Sequence, residues 1–473
     1  MARTTVADVL VDGLARAGAA RAFVAPDADP ALRAAAGRSR LEIVEAAGAL
    51  AGGVLAAAAG EVGDGPGALL AGLDDAAGLV RALAHAQRDR APLLVLTGTG
   101  SDTALLAPVV KASLPIEPAS AGHWIAHAAN LAMKDPRGPV HLAVGVGAVD
   151  EPALPVAASC RPGPLPPPEA ATVDAVGAVL ADASRPVVVT GLECGADDAR
   201  WIRSFVETLP APVLATVKGR GALAEPHPLA LGALAAGHPA LQRADLLVLV
   251  GVDAGELPPG ALPPGVRVLR IGRAPWPDGA FVAEAIGDLA LVIEELAPAV
   301  RARLAADWDV AELDRVKRAV TRAATASPTA RLVALAREAT PVGTRATGDV
   351  PALAGWQAVA PRETLAPLGA APPGYAVIAA TAVQLADRER RVVAFTTPSG
   401  LLAGEPTLVR SAALGLPIVV AVLDPLDAGT AARLERAGVR AHLARGEPDF
   451  ALTFSRAFLT CRPALVAPAG PGS

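Results

Sequence analysis

Short runs of Val and Leu alternate with alanine-rich stretches along most of this 473-residue chain. Runs such as APLLVLTG (91–98) and ADLLVLVG (244–251) are almost wholly apolar, as expected of strands that are covered on both faces. The stretches between them are long enough and rich enough in Ala and Leu to form helices. Because parallel strands are joined by helical crossovers, this alternation predicts an α/β fold with doubly wound parallel sheets.

The alternation falls into three blocks of similar size, which predict three domains at residues 1–155, 172–300 and 335–473. A proline-rich segment at 151–170 separates the first two blocks, and its composition is typical of a semi-rigid linker. A charged helical stretch at 301–323 precedes the third block. We therefore expect the domain boundaries to fall in these two connections.

Composition argues against several classes of protein. Lys and Arg number 42 against 47 Asp and Glu, with no basic stripe, so nucleic-acid binding is not expected. No window offers about 18 strongly apolar residues free of Gly, Pro and charge, as a membrane helix would need. The first residues carry acids and predict an amphipathic helix rather than a signal peptide, so we expect a cytoplasmic protein.

Cysteines and histidines provide no metal motif. Cys160, Cys194 and Cys461 are isolated, without CxxC spacing, which argues against a zinc site or a disulfide framework. His123 and His127 are one helical turn apart, a spacing that suits a metal, but neither an HExxH motif nor a nearby carboxylate accompanies them. An ordinary helix face is the better interpretation of this pair.

Several strings of the sequence resemble, in order, those of one enzyme family. They are TVADVLVDGLARAG, LEIVEAAGALAGG, RDRAPLLVLTGT, DPRGPVHLAV, APVLATVKGRGALAEPHPLALG, ADLLVLVGV, TGDVPALAGW and ALGLPIVVAVLD. Their order and spacing are similar to those of the acetolactate synthase-like family of thiamine diphosphate-dependent enzymes, across nearly the whole chain. The resemblance implies a pyrimidine-binding domain, a central domain and a shortened diphosphate-binding domain.

The resemblance also implies a chemistry and an assembly. Members of this family decarboxylate a 2-oxo acid and transfer the acyl anion to an acceptor, with thiamine diphosphate held through Mg²⁺. Their cofactor site forms between two subunits, so a homodimer or tetramer is expected. The apolar helix at 45–59 is a candidate interface element, because small residues permit close helix approach. FAD, found in some relatives, is not expected, because the chain has Asp253-Ala-Gly-Glu256 where flavin contacts would lie.

Glu45 is the residue to which the resemblance gives a catalytic role. In the family, a glutamate at this helix position bonds the aminopyrimidine ring and so drives formation of the reactive ylid. Such a carboxyl group needs apolar surroundings, because desolvation raises its pKa and lets it share a proton. Val44 and the run from Ala46 to Leu50 are expected to supply them. The alternative is a partly solvated glutamate in the first turn of a helix.

The resemblance marks further positions as cofactor contacts. Those positions carry Pro26, Asp349, Trp356, Ala371, Ser399 and Gly400, and the weak metal-ligand position carries Asp424. Several depart from the family pattern. Pro398 stands at the position of the metal-binding Asp, and Asp424-Pro425 at that of an Asn pair. Pro offers neither a side-chain ligand nor a backbone N–H.

These departures leave two hypotheses for function. One is a working thiamine diphosphate-dependent decarboxylase and carboligase, supported by Glu45 and the overall resemblance. The other is a non-catalytic paralogue that acts as a binding protein or as the partner subunit of an active homologue. It is supported by Pro398 and Pro425, by Pro351 where the resemblance places a Gly, and by Ala371 where it places a bulky side chain against the cofactor. A third class, a protein that binds another nucleotide through its central domain, has no positive motif.

Overall fold

The structure is a computed structural model that describes residues 4–98, 104–276, 278–301, 306–460 and 462–470. These residues form three six-stranded parallel sheets with helices between the strands, which confirms the α/β fold predicted from the sequence. No helix in these ranges is long and apolar enough to cross a bilayer. Cys461 lies outside the described residues.

The first sheet belongs to the N-terminal block. Its strands are β1 (Arg21–Val24), β2 (Glu42–Glu45), β3 (Gly67–Ala71), β4 (Leu93–Thr97), β5 (Ala112–Ile116) and β6 (Pro139–Val144). Its helices are α1 (Val6–Ala17), α2 (Pro30–Arg38), α3 (Ala49–Val62), α4 (Ala76–Arg88) and α5 (Ala121–Met133). The strand order is β2-β1-β3-β4-β6-β5, and every pair is parallel. Strands β3, β4 and β6 are buried at every residue, because helices cover both faces of the sheet.

The second sheet is built from the middle block. Its strands are β7 (Pro186–Thr190), β8 (Val213–Ala215), β9 (Ala230–Ala233), β10 (Leu246–Val250), β11 (Arg267–Gly272) and β12 (Ala283–Ile286). Helices of this block and of the stretch that follows it are α6 (Ala170–Asp182), α7 (Ala199–Thr208), α8 (Pro239–Arg243), α9 (Leu289–Arg301), α10 (Val310–Ala324) and α11 (Pro328–Glu338). The strand order is β12-β11-β10-β7-β8-β9: successive strands extend to one side from β7 to β9 and to the other side from β10 to β12.

The third sheet has the same internal order as the first. Its strands are β13 (Arg345–Gly348), β14 (Thr364–Leu365), β15 (Val392–Thr396), β16 (Val419–Val422), β17 (Arg440–Ala444) and β18 (Ala464–Pro468). Its helices are α12 (Tyr375–Ala386), α13 (Pro398–Ala413), α14 (Ala428–Arg436) and α15 (Glu447–Leu459). The order β14-β13-β15-β16-β18-β17 repeats the pattern second, first, third, fourth, sixth, fifth. The N-terminal and C-terminal blocks are therefore built on one plan.

The chain divides into two compact units. The first comprises Met1–Gly163, Thr347–Asp349 and Gly369–Ser473, and the second comprises Pro164–Ala346 and Val350–Leu368. The boundaries of the three domains inferred from the sequence remain predictions.

Within the first unit, α3 is covered by α4 and by α12 of the same chain. Small residues make this packing close: a Cβ on Gly53 would lie 2.4 Å from the Cβ of Ala82. A helix that is apolar on all sides needs such cover. The apolar surface that suggested a subunit interface at 45–59 is therefore buried within the chain itself.

Candidate functional site

The candidate site is the carboxyl edge of the third sheet. Strands β13 and β15 are neighbours there, but the chain continues from β13 to β14 on one side and from β15 to β16 on the other. Open α/β sheets bind ligands at such a reversal, because the diverging loops leave a crevice. Asp349 follows β13, residues 397–400 follow β15, and Asp424 follows β16. The structure thus brings Asp349, Ser399, Gly400 and Asp424 to one edge.

Asp349 is the carboxylate held most firmly at this edge. Its Oδ2 accepts a hydrogen bond from Thr396 Oγ1 at 3.0 Å. Its Oδ1 is buried. Burial raises the pKa of Asp349, and the hydrogen bond from Thr396 offsets part of that effect. Gly400 leaves the room for this pair, because a Cβ there would lie 2.2 Å from Thr396 Oγ1 and 2.9 Å from Asp349 Oδ2.

The start of α13 satisfies its own polar groups. Thr397 caps the helix, and its Oγ1 accepts the N–H of Gly400 at 3.2 Å. Ser399 Oγ lies 3.0 Å from the same oxygen. Pro398 takes the first helical position, where the fixed φ of proline is favourable. The sequence Thr-Pro is a recognised helix-start signal, so this cap could have been found from the sequence.

Asp424 and Ala371 lie in connections of the same unit. Asp424 is half-buried and comes two residues after β16, and the N–H of Leu423 donates to the carbonyl of Thr396 at 3.0 Å. Pro425, beside it, is exposed. Ala371 is half-buried in the connection that leads to α12, and so leaves no bulky side chain at the position where the resemblance places one.

Trp356 belongs to the second unit and is fully buried there. Its indole N–H donates to Glu363 Oε1 at 3.0 Å, and the guanidinium of Arg337 lies 5.1 Å from the ring centroid. The side chain of Arg220 donates to its carbonyl oxygen. These contacts make Trp356 a core residue of that unit.

Glu45 lies on the first sheet, and two expectations about it are wrong. It is the last residue of β2, an edge strand, and not a residue of the helix, which begins at Ala49. Its side chain is 45% exposed instead of enclosed by apolar groups. Arg33 Nη1 donates to Glu45 Oε1 at 2.6 Å. Pro26 is exposed, in the turn that follows β1.

At the carboxyl edge of the second sheet, polar groups of the chain bond to one another. Glu256 is buried, and its Oε2 accepts the N–H groups of Leu192 at 2.9 Å and of Asp253 at 3.0 Å. Thr216 donates its hydroxyl to Glu256 Oε1. Burial raises the pKa of Glu256 to about 7. These bonds fix the segment at 253–256, whose sequence is the reason that FAD is not expected to bind.

With the geometry in view, comparison with known proteins identifies the family. Residues 4–107 match the model of the thiamine pyrophosphate enzyme N-terminal TPP binding domain, and residues 173–296 match that of the thiamine pyrophosphate enzyme central domain. The chain belongs to the thiamine pyrophosphate enzyme family. Membership implies thiamine diphosphate, the same compound as thiamine pyrophosphate, as the cofactor of these domains.

Individual relatives within the thiamine pyrophosphate enzyme family are distant. The chain is 29% identical to the acetolactate synthase large subunit of Parasynechococcus marenigrum over 432 residues, which is 80% of this chain and 68% of that protein. It is 36% identical to mouse (Mus musculus) 2-hydroxyacyl-CoA lyase 1 over 106 residues, 22% of this chain and 18% of that protein. The structure of the Rhodococcus jostii RHA1 thiamine diphosphate-dependent 4-hydroxybenzoylformate decarboxylase superposes with a TM-score of 0.80 at 19% identity, covering 98% of this chain and 99% of that one. That likeness shows the fold.

The side chains at the third-sheet edge do not fit a metal-held diphosphate of the family type. Pro398 lies where the resemblance places the metal-binding Asp, and its side chain has no ligand atom for a cation. The hydroxyl of Ser399 and the N–H of Gly400 are already bonded to Thr397. Asp349 and Asp424 are the carboxylates left at this edge, and Asp349 is turned toward Thr396. The sequence did not predict Thr396 as the partner of Asp349, or Arg33 as the partner of Glu45.

Proposed function

We propose that this protein is an acetolactate synthase-like member of the family that has lost 2-oxo acid decarboxylation and carboligation and acts as a binding or partner subunit. The observation that carries the proposal is Pro398 at the first position of α13. It puts a ring without a ligand where the family has a carboxylate. Hard cations such as Mg²⁺ need anionic oxygens to bridge a protein to a diphosphate.

The energetic cost of this loss is large for a ligand that carries its charge on phosphate oxygens. Hydrogen bonds to charged groups contribute about 1.5–3 kcal/mol each. Since about 1.4 kcal/mol changes a dissociation constant tenfold, losing two such contacts weakens binding by roughly two to four orders of magnitude. Thiamine diphosphate would then be bound weakly, and with little dependence on Mg²⁺.

The surroundings of Glu45 support the same proposal. Its carboxylate is engaged by the guanidinium of Arg33, and in the single chain the two side chains are 45% and 35% exposed. Proton sharing with a ring nitrogen needs a dry site. In this arrangement the charge of Glu45 is balanced by an arginine of its own domain, so the residue has a role that needs no cofactor.

Calorimetry with thiamine diphosphate, with and without Mg²⁺, tests the proposal on the full chain. We expect no sub-micromolar, Mg²⁺-dependent binding, and pyruvate turnover at background. Pro398→Asp restores one carboxylate and should strengthen Mg²⁺-dependent binding, whereas Pro398→Ala, the matched control, should not. Tight Mg²⁺-dependent binding by the wild-type protein would contradict the proposal.

The partner role has its own test. We expect a homodimer or tetramer, or a mixed assembly with an intact homologue, and light scattering at micromolar concentration distinguishes these from a monomer. A stable monomer that also fails to associate with a purified acetolactate synthase-like homologue would remove the partner role.

A working enzyme is the second candidate, and Asp349 is the observation that favours it. Its half-buried carboxylate lies beside Gly400, at the edge where Asp424 also lies. These two carboxylates would replace the missing Asp as ligands of the cation, and Glu45 would keep its role on the pyrimidine side. On this hypothesis pyruvate is turned over above background, and both Asp349→Asn and Glu45→Gln abolish the turnover while the protein stays folded.

A further inference from the structure

Three side chains with metal-binding chemistry meet at the ends of α3 and α4 in the first unit. They are Glu61 on α3, His85 on α4 and Asp89, which caps the C-terminus of α4. One ligand atom from each lies within 4.8 Å of the others. The group shares no residue with the candidate site, and the role proposed for it does not depend on the proposed function.

Burial distinguishes this group from ordinary surface charges. The side chains of His85 and Asp89 are 5% and 0% exposed, and Glu61 is half-buried. A metal ion is one of the groups that compensate the cost of removing a carboxylate's charge from water. The ring of Tyr375 meets the imidazole edge-on, with centroids 5.1 Å apart, and so restrains its orientation.

The spacing within the group suits a shared ion. His85 Nδ1 and Asp89 Oδ1 are 3.7 Å apart, beyond the roughly 2.7–3.2 Å range of an N–H···O hydrogen bond. Two ligand atoms that are each about 2.0–2.1 Å from a tetrahedral zinc ion lie about 3.4 Å apart. The two side chains need to approach only slightly to hold an ion between them. Their one-turn separation on α4 keeps them on the same face of the helix.

We propose that Glu61, His85 and Asp89 bind one divalent transition-metal ion of the zinc class. One imidazole nitrogen and two carboxylate oxygens make a donor set that zinc accepts, with a water molecule as fourth ligand. The ion would join the C-terminal ends of α3 and α4. Its role is structural: it holds the C-terminal ends of the two helices together.

Zinc titration of the chelator-treated full chain tests this site. With a chromophoric chelator as competitor, we expect one tightly bound Zn²⁺ per chain and a higher melting temperature in its presence, because a ligand of the native state stabilises it. Glu61→Gln and His85→Gln should each weaken binding by at least about tenfold. Glu61 is only half-buried, so its variant keeps the test valid if His85→Gln fails to fold.

Two control variants locate the metal. Asp64→Asn removes an exposed carboxylate just beyond the end of α3 and should leave zinc affinity unchanged. His123→Gln breaks the exposed histidine pair on α5, where the rings of His123 and His127 stack 6.4 Å apart, and should also have no effect. The proposal is overturned if no stoichiometric zinc is bound, if folded Glu61→Gln keeps wild-type affinity, or if His123→Gln abolishes binding.

Discussion

Arg33 holds Glu45 at the edge of the first sheet: Arg33 Nη1 lies 2.6 Å from Glu45 Oε1, while Nη2 donates to the carbonyl of Ala25 at 3.0 Å. The second bond fixes the guanidinium against the end of β1. Arg33 therefore joins α2 to both β1 and β2. The one carboxylate that the resemblance marks as catalytic is thus part of a surface ion pair.

Glu45→Gln is expected to change the free energy of unfolding by less than about 1 kcal/mol, because solvent-exposed ion pairs contribute little. Urea denaturation measures this, and a double-mutant cycle with Arg33→Gln isolates the coupling. Pyruvate turnover should stay at background in all four proteins. A loss above about 2 kcal/mol would mean that Glu45 is buried in solution, since exposed pairs do not reach that value.

Glu256 should give the second unit a pH-dependent stability. Its folded pKa is about 7, raised by burial, so between its ordinary value and pH 7 the folded protein binds a proton that the unfolded chain has released. Stability is then lost as pH rises through that window, by up to about 1.4 kcal/mol for each pH unit. Glu256→Gln should flatten this decline. The free energy of unfolding measured at pH 5, 6, 7 and 8 checks this prediction, with Glu389→Gln at an exposed position as the control. If the wild type and Glu256→Gln lose stability in parallel as pH rises, Glu256 is not the source of the pH dependence.

Gly400→Ala should destabilise the first unit by about 1–3 kcal/mol, because the new methyl group overpacks the site. A Cβ at this position would lie 2.2 Å from Thr396 Oγ1. Thermal unfolding measures the loss, and Thr396→Ala in the same chain should recover part of it by making room. Gly163→Ala, where a Cβ has no heavy atom within 4 Å, is the matched control and should be nearly neutral. Equal effects of the two alanine substitutions would show that the packing beside Asp349 is loose.

Trp356→Phe should cost about 1–3 kcal/mol in the second unit, since it removes the N–H that donates to the buried Glu363 Oε1. Adding Glu363→Gln should reduce this loss of stability. A neutral amide without the indole N–H as donor costs less to bury than a charged carboxylate does. Denaturant unfolding of the single and double variants measures both effects. If Trp356 were a cofactor contact instead, the substitution would weaken thiamine diphosphate binding and leave stability unchanged.

The fold was largely predictable because its signal is local and repeated. Buried parallel strands are apolar at every position, and the helices between them have their own composition, so the strands at 93–97 and 246–250 fall inside runs recognised from the sequence. The sequence predicts a helix that includes Glu45, because apolar residues continue beyond it. Pairing with β1 decides that Ile43 and Val44 are extended, and that partner lies some twenty residues earlier.

The sequence by itself determined the α/β class and the family resemblance, since each depends on residue types and their order. Only the tertiary structure decided the neighbours: Arg33 beside Glu45, Thr396 beside Asp349, and Glu61 beside His85. Asp349 and Thr396 are 47 positions apart in the chain and meet because their strands are adjacent in the sheet. Strand order and helix packing arise from burial of apolar surface over the whole unit, so no local pattern specifies which polar side chains that packing brings together.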